Sequence, residues 1–127
     1  MSTDPAAPRQ ATGGPRIEET EVIAPLVVNT GRVDDAVLLR LAGELDMSTA
    51  PELLARITAL ATGGTPRLVV DLTALTFCDS AGLTTFVRGD RRCAEAGGWL
   101  RLTGAHGHVA RVIEISGVDD SLGYRPS

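Results

Sequence analysis

A chain of 127 residues has room for one domain with a modest core, and 43% hydrophobic with 22% charged residues is ordinary for a soluble globular protein. The formal charge of -4, a pI near 5.1 and only 3% aromatic residues argue against a nucleic-acid partner, which needs a basic stripe for phosphates or rings for base stacking. No apolar run approaches the roughly 18 to 20 residues that span a bilayer, and the start of the chain lacks a charged-then-apolar leader, so no membrane partner is expected and the chain reads as cytoplasmic.

Met1–Glu21 is rich in Pro, Ala, Thr and Gly without periodic apolar residues and predicts a flexible tail, leaving 22–127 as the single domain. Leu26–Thr30 and Ala36–Ala42 read as the two arms of an antiparallel hairpin turning at Val33-Asp34-Asp35. In the second arm Val37, Leu39 and Leu41 give one apolar face, and Leu38 and Arg40 a mixed one. Thr49-Ala50-Pro51-Glu52 announces a helix, with Thr49 as cap and Glu52 placed to complete a capping box. Its buried stripe is Leu53, Leu54, Ile57, Leu60 and Ala61, and Gly63-Gly64 closes it.

A strand at Leu68–Leu72 follows, then a junction, then a helix that starts near Ser80 and reaches about Ala96 before Gly97-Gly98. Trp99–Leu102 is a further strand and Val109–Ser116 the last helix, with Gly117 suited to the left-handed position beyond it and Val118 placed to fold back on Ile113. This order predicts an α/β fold with a mixed central sheet of about four strands and helices mainly on one face. Strand ends that feed helices converge on one sheet edge, which brings Asp46, Asp79 and Ser80 to a common surface.

Asp71-Leu72-Thr73-Ala74-Leu75-Thr76-Phe77-Cys78-Asp79-Ser80-Ala81-Gly82-Leu83 is the most informative segment, because it carries one serine from a buried strand to the first turn of a helix. Two readings stay open at its centre: Ser80 caps the helix, or Asp79 caps it and Ser80 is its first residue. A phosphate on Ser80 would meet the free amide donors and the positive end of the helix dipole, so modification is compatible with the fold. Gly82 is either a small residue in a crowded turn or a point of close approach for a partner. Asp46 and Asp71 either end strands or reach a partner, Asp46 the more so. Asp90 is an anomaly in the apolar stripe of its helix.

Cys78 and Cys93 lie fifteen positions apart, which is not a zinc pattern, and read as reduced, packed thiols. His106-Gly107-His108 has no cysteine or carboxylate nearby to complete a metal set, so neither metal nor other cofactor is expected. All twelve basic residues are arginine, and the densest cluster is Arg88, Arg91 and Arg92.

The segment resembles the STAS domain, in particular the bacterial anti-sigma-factor antagonists, whose signature is a strand ending in Asp-Leu-Ser, an apolar pair, then Asp-Ser-Ser-Gly-Leu. Ala81 stands where that signature has its second serine. Leu41-Ala42-Gly43-Glu44-Leu45-Asp46, Thr49-Ala50-Pro51-Glu52-Leu53 and Arg111-Val112-Ile113-Glu114-Ile115-Ser116-Gly117-Val118 also resemble family segments, in the family's order. The resemblance implies a single STAS-like domain that is not an enzyme. It implies that Ser80 is phosphorylated by an anti-sigma factor with serine kinase activity and restored by a metal-dependent serine phosphatase. It places Asp46, Asp79, Ser80, Ala81 and Gly82 at the partner surface. Binding of the kinase by unphosphorylated Ser80 would release a sigma factor.

Two other classes compete. An enzyme with Ser80 as nucleophile lacks the first glycine of a Gly-x-Ser-x-Gly elbow, and its base would have to come from His106 or His108. A STAS scaffold or partner-binding module of another bacterial signalling complex, not regulated through sigma-factor release, is the alternative.

Overall fold

The computed structural model describes residues 15–62, 64–118 and 122. Its elements are β1 (Arg16–Ile23), β2 (Leu26–Val33), β3 (Ala36–Leu45), α1 (Ala50–Leu60), β4 (Arg67–Cys78), α2 (Ser80–Glu95), β5 (Trp99–Thr103) and α3 (Gly107–Ser116). The five strands form one mixed sheet in chain order, with β1, β2 and β3 antiparallel and β3, β4 and β5 parallel. Both crossovers step the same way across the sheet, so a constant right hand puts α1 and α2 on the same face.

The core lies between that face and the helices. Leu26, Val28, Leu39, Leu41, Leu68, Val70, Leu72, Leu100 and Leu102 form one cluster with Leu53 and Ile57 of α1, Phe86 of α2, and Val109 and Ile113 of α3. Each fully buried aliphatic side chain here contributes about 1.5–3 kcal/mol by leaving water. Leu38 is also buried but lies outside the cluster, because odd and even residues of β3 point to opposite faces. On that second face Arg40 Nε donates to Asp71 Oδ2 at 3.2 Å, and Thr73 donates to Asp71 Oδ1 through its amide (2.9 Å) and its hydroxyl (2.6 Å). Burial pushes the Asp71 carboxyl up, but the Thr73 and Arg40 bonds outweigh it and hold it below the usual value.

The sheet has five strands where the sequence predicts about four, and the additional one is β1. Composition assigned Arg16–Glu21 to a tail, yet this stretch pairs with β2 from Arg16↔Arg32 to Ile23↔Leu26. The reason is non-local: Glu19 and Glu21, opposite Thr30 and Val28, both form ion pairs with Arg56 of α1. A strand covered by charge pairs has no apolar alternation to betray it. Residues 1–14 of the predicted tail, and Gly63, lie outside the described residues.

β4 also outruns the predicted Leu68–Leu72 strand. Its partners on β3 slip between Arg40 and Ala42 and again between Gly43 and Glu44, so β4 carries an extra residue at each place and still reaches Leu45↔Cys78. The capping box at Thr49 and Glu52 does not form. Thr49 occupies the cap position, but its hydroxyl oxygen accepts from the Asp46 amide at 3.0 Å instead of capping the helix. At the other ends the glycine signals hold: Gly97 has φ 87° and the Gly98 amide closes on Cys93 O at 2.8 Å, and Gly117 takes φ 78°.

Asp90 resolves into an edge device. β5 is a sheet edge, and the amides of Leu100 and Leu102 are bonded by Asp90 Oδ1 at 2.9 Å and Leu122 O at 3.3 Å. Covering edge donors prevents another strand from adding there. Asp90→Ala is expected to cost about 1–2 kcal/mol and to speed hydrogen exchange at the Leu100 amide selectively. Unchanged exchange at that amide would remove the role assigned to the carboxylate.

Candidate functional site

The site is built where β3 and β4 end side by side. Leu45 pairs with Cys78, and the Asp79 amide donates to Leu45 O at 3.3 Å, so Asp46 and Asp79 leave the sheet from adjacent positions. Asp79 is extended, with φ -107° and ψ -171°, and its Oδ1 accepts from the Gly82 amide at 3.1 Å. It is therefore the helix cap, with its main-chain oxygen also taking the first helical bond, from Leu83 N at 3.1 Å.

Ser80 is consequently the first helical residue and not the cap. It is exposed, and its hydroxyl has no protein partner among the described residues. The Thr84 hydroxyl donates to Ser80 O at 2.9 Å and the Thr85 hydroxyl to Ala81 O at 3.0 Å, bracing the first turn from within. Because Asp79 already caps the turn, Ser80 Oγ can be altered without removing a bond that holds the helix. The helix start also favours negative charge through its aligned dipoles.

Gly82 is buried. A Cβ built on it would lie 2.7 Å from Cys78 Sγ and 2.9 Å from Leu45 Cγ, so the absence of a side chain is what lets α2 settle on the ends of β3 and β4. These surroundings are those of a small residue in a crowded first turn. Ala81 is half-buried against the core and lines the rim of a groove shared with Met47 of the β3–α1 loop.

Asp46 organises that loop. Its Oδ1 accepts from the Ser48 hydroxyl (2.6 Å), the Ser48 amide (2.9 Å) and the Thr49 amide (3.2 Å). The Ser48 hydroxyl first, then the amides, hold its carboxyl below the ordinary value. Met47, at the tip of this loop, is 76% exposed. No signal in the sequence distinguished Met47 and Ser48, since a four-residue link between strand and helix has no periodicity to read.

The remaining candidates have other occupations. Cys78 and Cys93 are free and buried. Burial, with Asp79 adding to it, pushes the Cys78 thiol up to about 12, and burial with Asp90 takes Cys93 to about 11. His106 Nε2 lies 2.7 Å from Thr73 O, and His108 stacks on Phe77 with ring centroids 5.3 Å apart. Among the described residues no group of three or more His, Cys, Asp or Glu side chains gathers as a metal site would require, and no helix is long and apolar enough to cross a membrane.

Comparison with known proteins agrees with this geometry. A family model described as "Mlab, STAS domain" matches residues 28–124. The anti-sigma-B factor antagonist of Staphylococcus aureus is 30% identical over 97 residues, which are 76% of this chain and 90% of that protein. The crystal structure of an anti-sigma factor antagonist from Mycobacterium paratuberculosis is 28% identical and superposes with a TM-score of 0.70, covering 80% of this chain and 86% of that one. The Bacillus cell fate determinant SpoIIAA in its phosphorylated form shares the fold at a TM-score of 0.59 and 20% identity, over 86% of this chain and 89% of its own.

Two outcomes test this construction. Gly82→Ala should destabilise the fold by about 1–3 kcal/mol, because Leu45 and Cys78 must retreat from the new methyl; a wild-type melting temperature would show the contact to be loose. For Asp46, a folded-state pKa below the unfolded value of about 3.9 contributes stability above that pH, and the contribution disappears as pH falls through the folded value. The melting-temperature difference between wild type and Asp46→Asn should therefore be constant from pH 5 to 7 and shrink below about pH 4.

Proposed function

The chain belongs to the STAS domain family, and from that premise we propose that it is an anti-sigma-factor antagonist switched at Ser80. With Ser80 free it binds an anti-sigma factor with serine kinase activity and so releases a sigma factor. Phosphorylation of Ser80 by that kinase ends the interaction, and a metal-dependent serine phosphatase restores it. The protein is the substrate in this cycle rather than an enzyme, and it works in the cytoplasm.

The observation that carries the reading is the spare hydroxyl: Ser80 is exposed, and among the described residues its Oγ has no partner, at a helix start already capped by Asp79. Supporting it are the relatives at 28–30% identity whose names state antagonism of anti-sigma factors, and a protein of the same fold known in a phosphorylated form. A phosphate would add about -1.5 to -2 charges at pH 7. Next to Asp79, with Asp46 at the end of the adjacent strand, that charge makes the rim more acidic, so it repels an acidic partner surface and fills the space a close one needs. Asp46 and Asp79 have a second part in this reading: each fixes a loop that frames Ser80, so the partner meets a rigid rim. Ala81 removes a neighbouring hydroxyl while leaving the acceptor in place.

The test is a capture experiment from the native host with Ser80→Ala and Ser80→Glu baits in parallel. An ATPase of the histidine-kinase-like type should be retained by the Ala bait and lost by the Glu bait. The Glu variant should melt at or slightly above the wild-type temperature, since a carboxylate at the first helical position complements the dipole. Equal recovery on both baits, or the same multi-protein assembly on each, would favour the scaffold reading and refute the switch.

A further inference from the structure

Three arginines of α2, Arg88, Arg91 and Arg92, are exposed and have neither ion pair nor hydrogen bond among the described residues, whereas Arg40 and Arg56 are both paired. In a chain of formal charge -4 this is a local excess of positive charge on one helix. It adjoins a groove between α1 and α2. A hollow of about 370 Å³ lined by Met47, Pro51, Leu54, Ala81, Thr84 and Arg88 meets a second of about 400 Å³ lined by Leu54, Arg88, Arg91, Arg92 and Glu95. Leu54 and Arg88 line both, so the two hollows adjoin and together make up an open surface channel. Glu95 is its only carboxylate among the described lining residues, leaving three cations against one anion.

The channel is graded along its length. Its head, which starts at Ala81 next to Ser80 in the chain, is mainly apolar, lined by Met47, 76% exposed, with Ala81, Pro51 and Leu54 beside the hydroxyls of Thr84 and Thr85. Its tail is cationic. From Ala81 to Arg92 the helix rises about 16 Å, the length of three helical turns. We propose that this groove receives an acidic amphipathic helix of the protein partner, with an apolar residue against Met47 and Ala81 and carboxylates against Arg88, Arg91 and Arg92. The inference rests on the reading of the neighbouring Ser80 surface as a partner site, and it adds the chemistry and the direction of the partner's docking segment. Arginine suits this task because its planar fork takes a carboxylate through two bonds. Among the described residues no aromatic side chain lines the groove to stack a nucleotide base.

The grading also assigns orientation. An acidic segment inserted the other way round would put carboxylates against the Asp46–Asp79 rim, where like charges repel, and an apolar residue against unpaired arginines. Charge at the two ends of one groove thus fixes polarity of docking.

The test uses the whole chain and a labelled twelve-residue helical peptide with leucine at one end and glutamates along one face. A second peptide carries lysine in place of every glutamate. Wild-type protein should bind the acidic peptide saturably, more tightly at low than at physiological salt, and should not bind the lysine peptide. Arg88→Gln, Arg91→Gln and Arg92→Gln combined should slow association at least about tenfold, as expected when steering charges are removed. The melting temperature of that variant should stay near wild type, because none of the three side chains has an ion pair or hydrogen bond among the described residues. Amide shifts on binding should centre on Leu54, Thr85 and Arg88. Equal binding of both peptides, no saturable binding, or an affinity indifferent to the three substitutions overturns the proposal, as does preference for phosphate-bearing vesicles over the acidic peptide. Neither kinase nor phosphate enters this assay, so its failure would leave the Ser80 switch to be judged by the capture experiment alone.

Discussion

The contact of Gly82 with Leu45 and Cys78 is the constraint on which the site depends. It clamps the start of α2 onto the paired ends of β3 and β4, with a Cβ at that point 2.7 Å from Cys78 Sγ. Once that distance is fixed, Asp79 has one place to go, and from there its carboxylate reaches the Gly82 amide. Ser80 is then carried outward on the first turn with its hydroxyl unspent. The same clamp sets the neighbouring loop, since Leu45 is followed directly by Asp46 and its turn of bonds to Ser48 and Thr49. Two loops from two strands become one rigid rim because their strands are bonded to each other up to the last residue.

Division of labour between Asp79 and Ser80 is what makes a covalent switch feasible here. A serine that capped its own helix would lose its bond on modification and loosen the turn it sits on. With the cap supplied by the preceding carboxylate, the hydroxyl is held in position by the backbone alone and is available for chemistry. The buried side of the turn is equally insulated, because Cys78 and Gly82 face the core while Ser80 faces solvent. Added charge therefore acts on what approaches the surface, and the buried Thr85 hydroxyl beneath is already bonded, to Ala81 O at 3.0 Å.

Much of this was legible in the sequence where the signal was local. The β2–β3 hairpin, the stripe of α1 through Leu53 and Ile57, the closure of α2 at Gly97-Gly98 and the position of Ser80 at a strand-helix junction all follow from spacing within a few residues. What escaped was set by partners distant in the chain. β1 is held by Arg56, some forty positions on, and β4 extends through Thr73–Cys78 because β3 continues to pair with it across two bulges. Thr49 and Glu52 looked like a capping box until Asp46, three residues upstream, claimed the threonine hydroxyl. Asp90 looked misplaced in an apolar stripe because its partner is an edge amide of β5. The choice between Asp79 and Ser80 as cap lay below what sequence resolves, since both residue types cap well and they are adjacent.

The central claim is that Ser80 can change charge without the fold changing with it. Its most direct measurement is the amide spectrum of the isotopically labelled chain before and after enzymatic phosphorylation of Ser80. The account predicts shifts confined to the rim, residues 46–49 and 79–84, with Leu41, Leu72, Phe86 and Leu100 unmoved. Shifts spreading through those core residues, or loss of dispersion in α2, would contradict it and make Ser80 a structural cap after all.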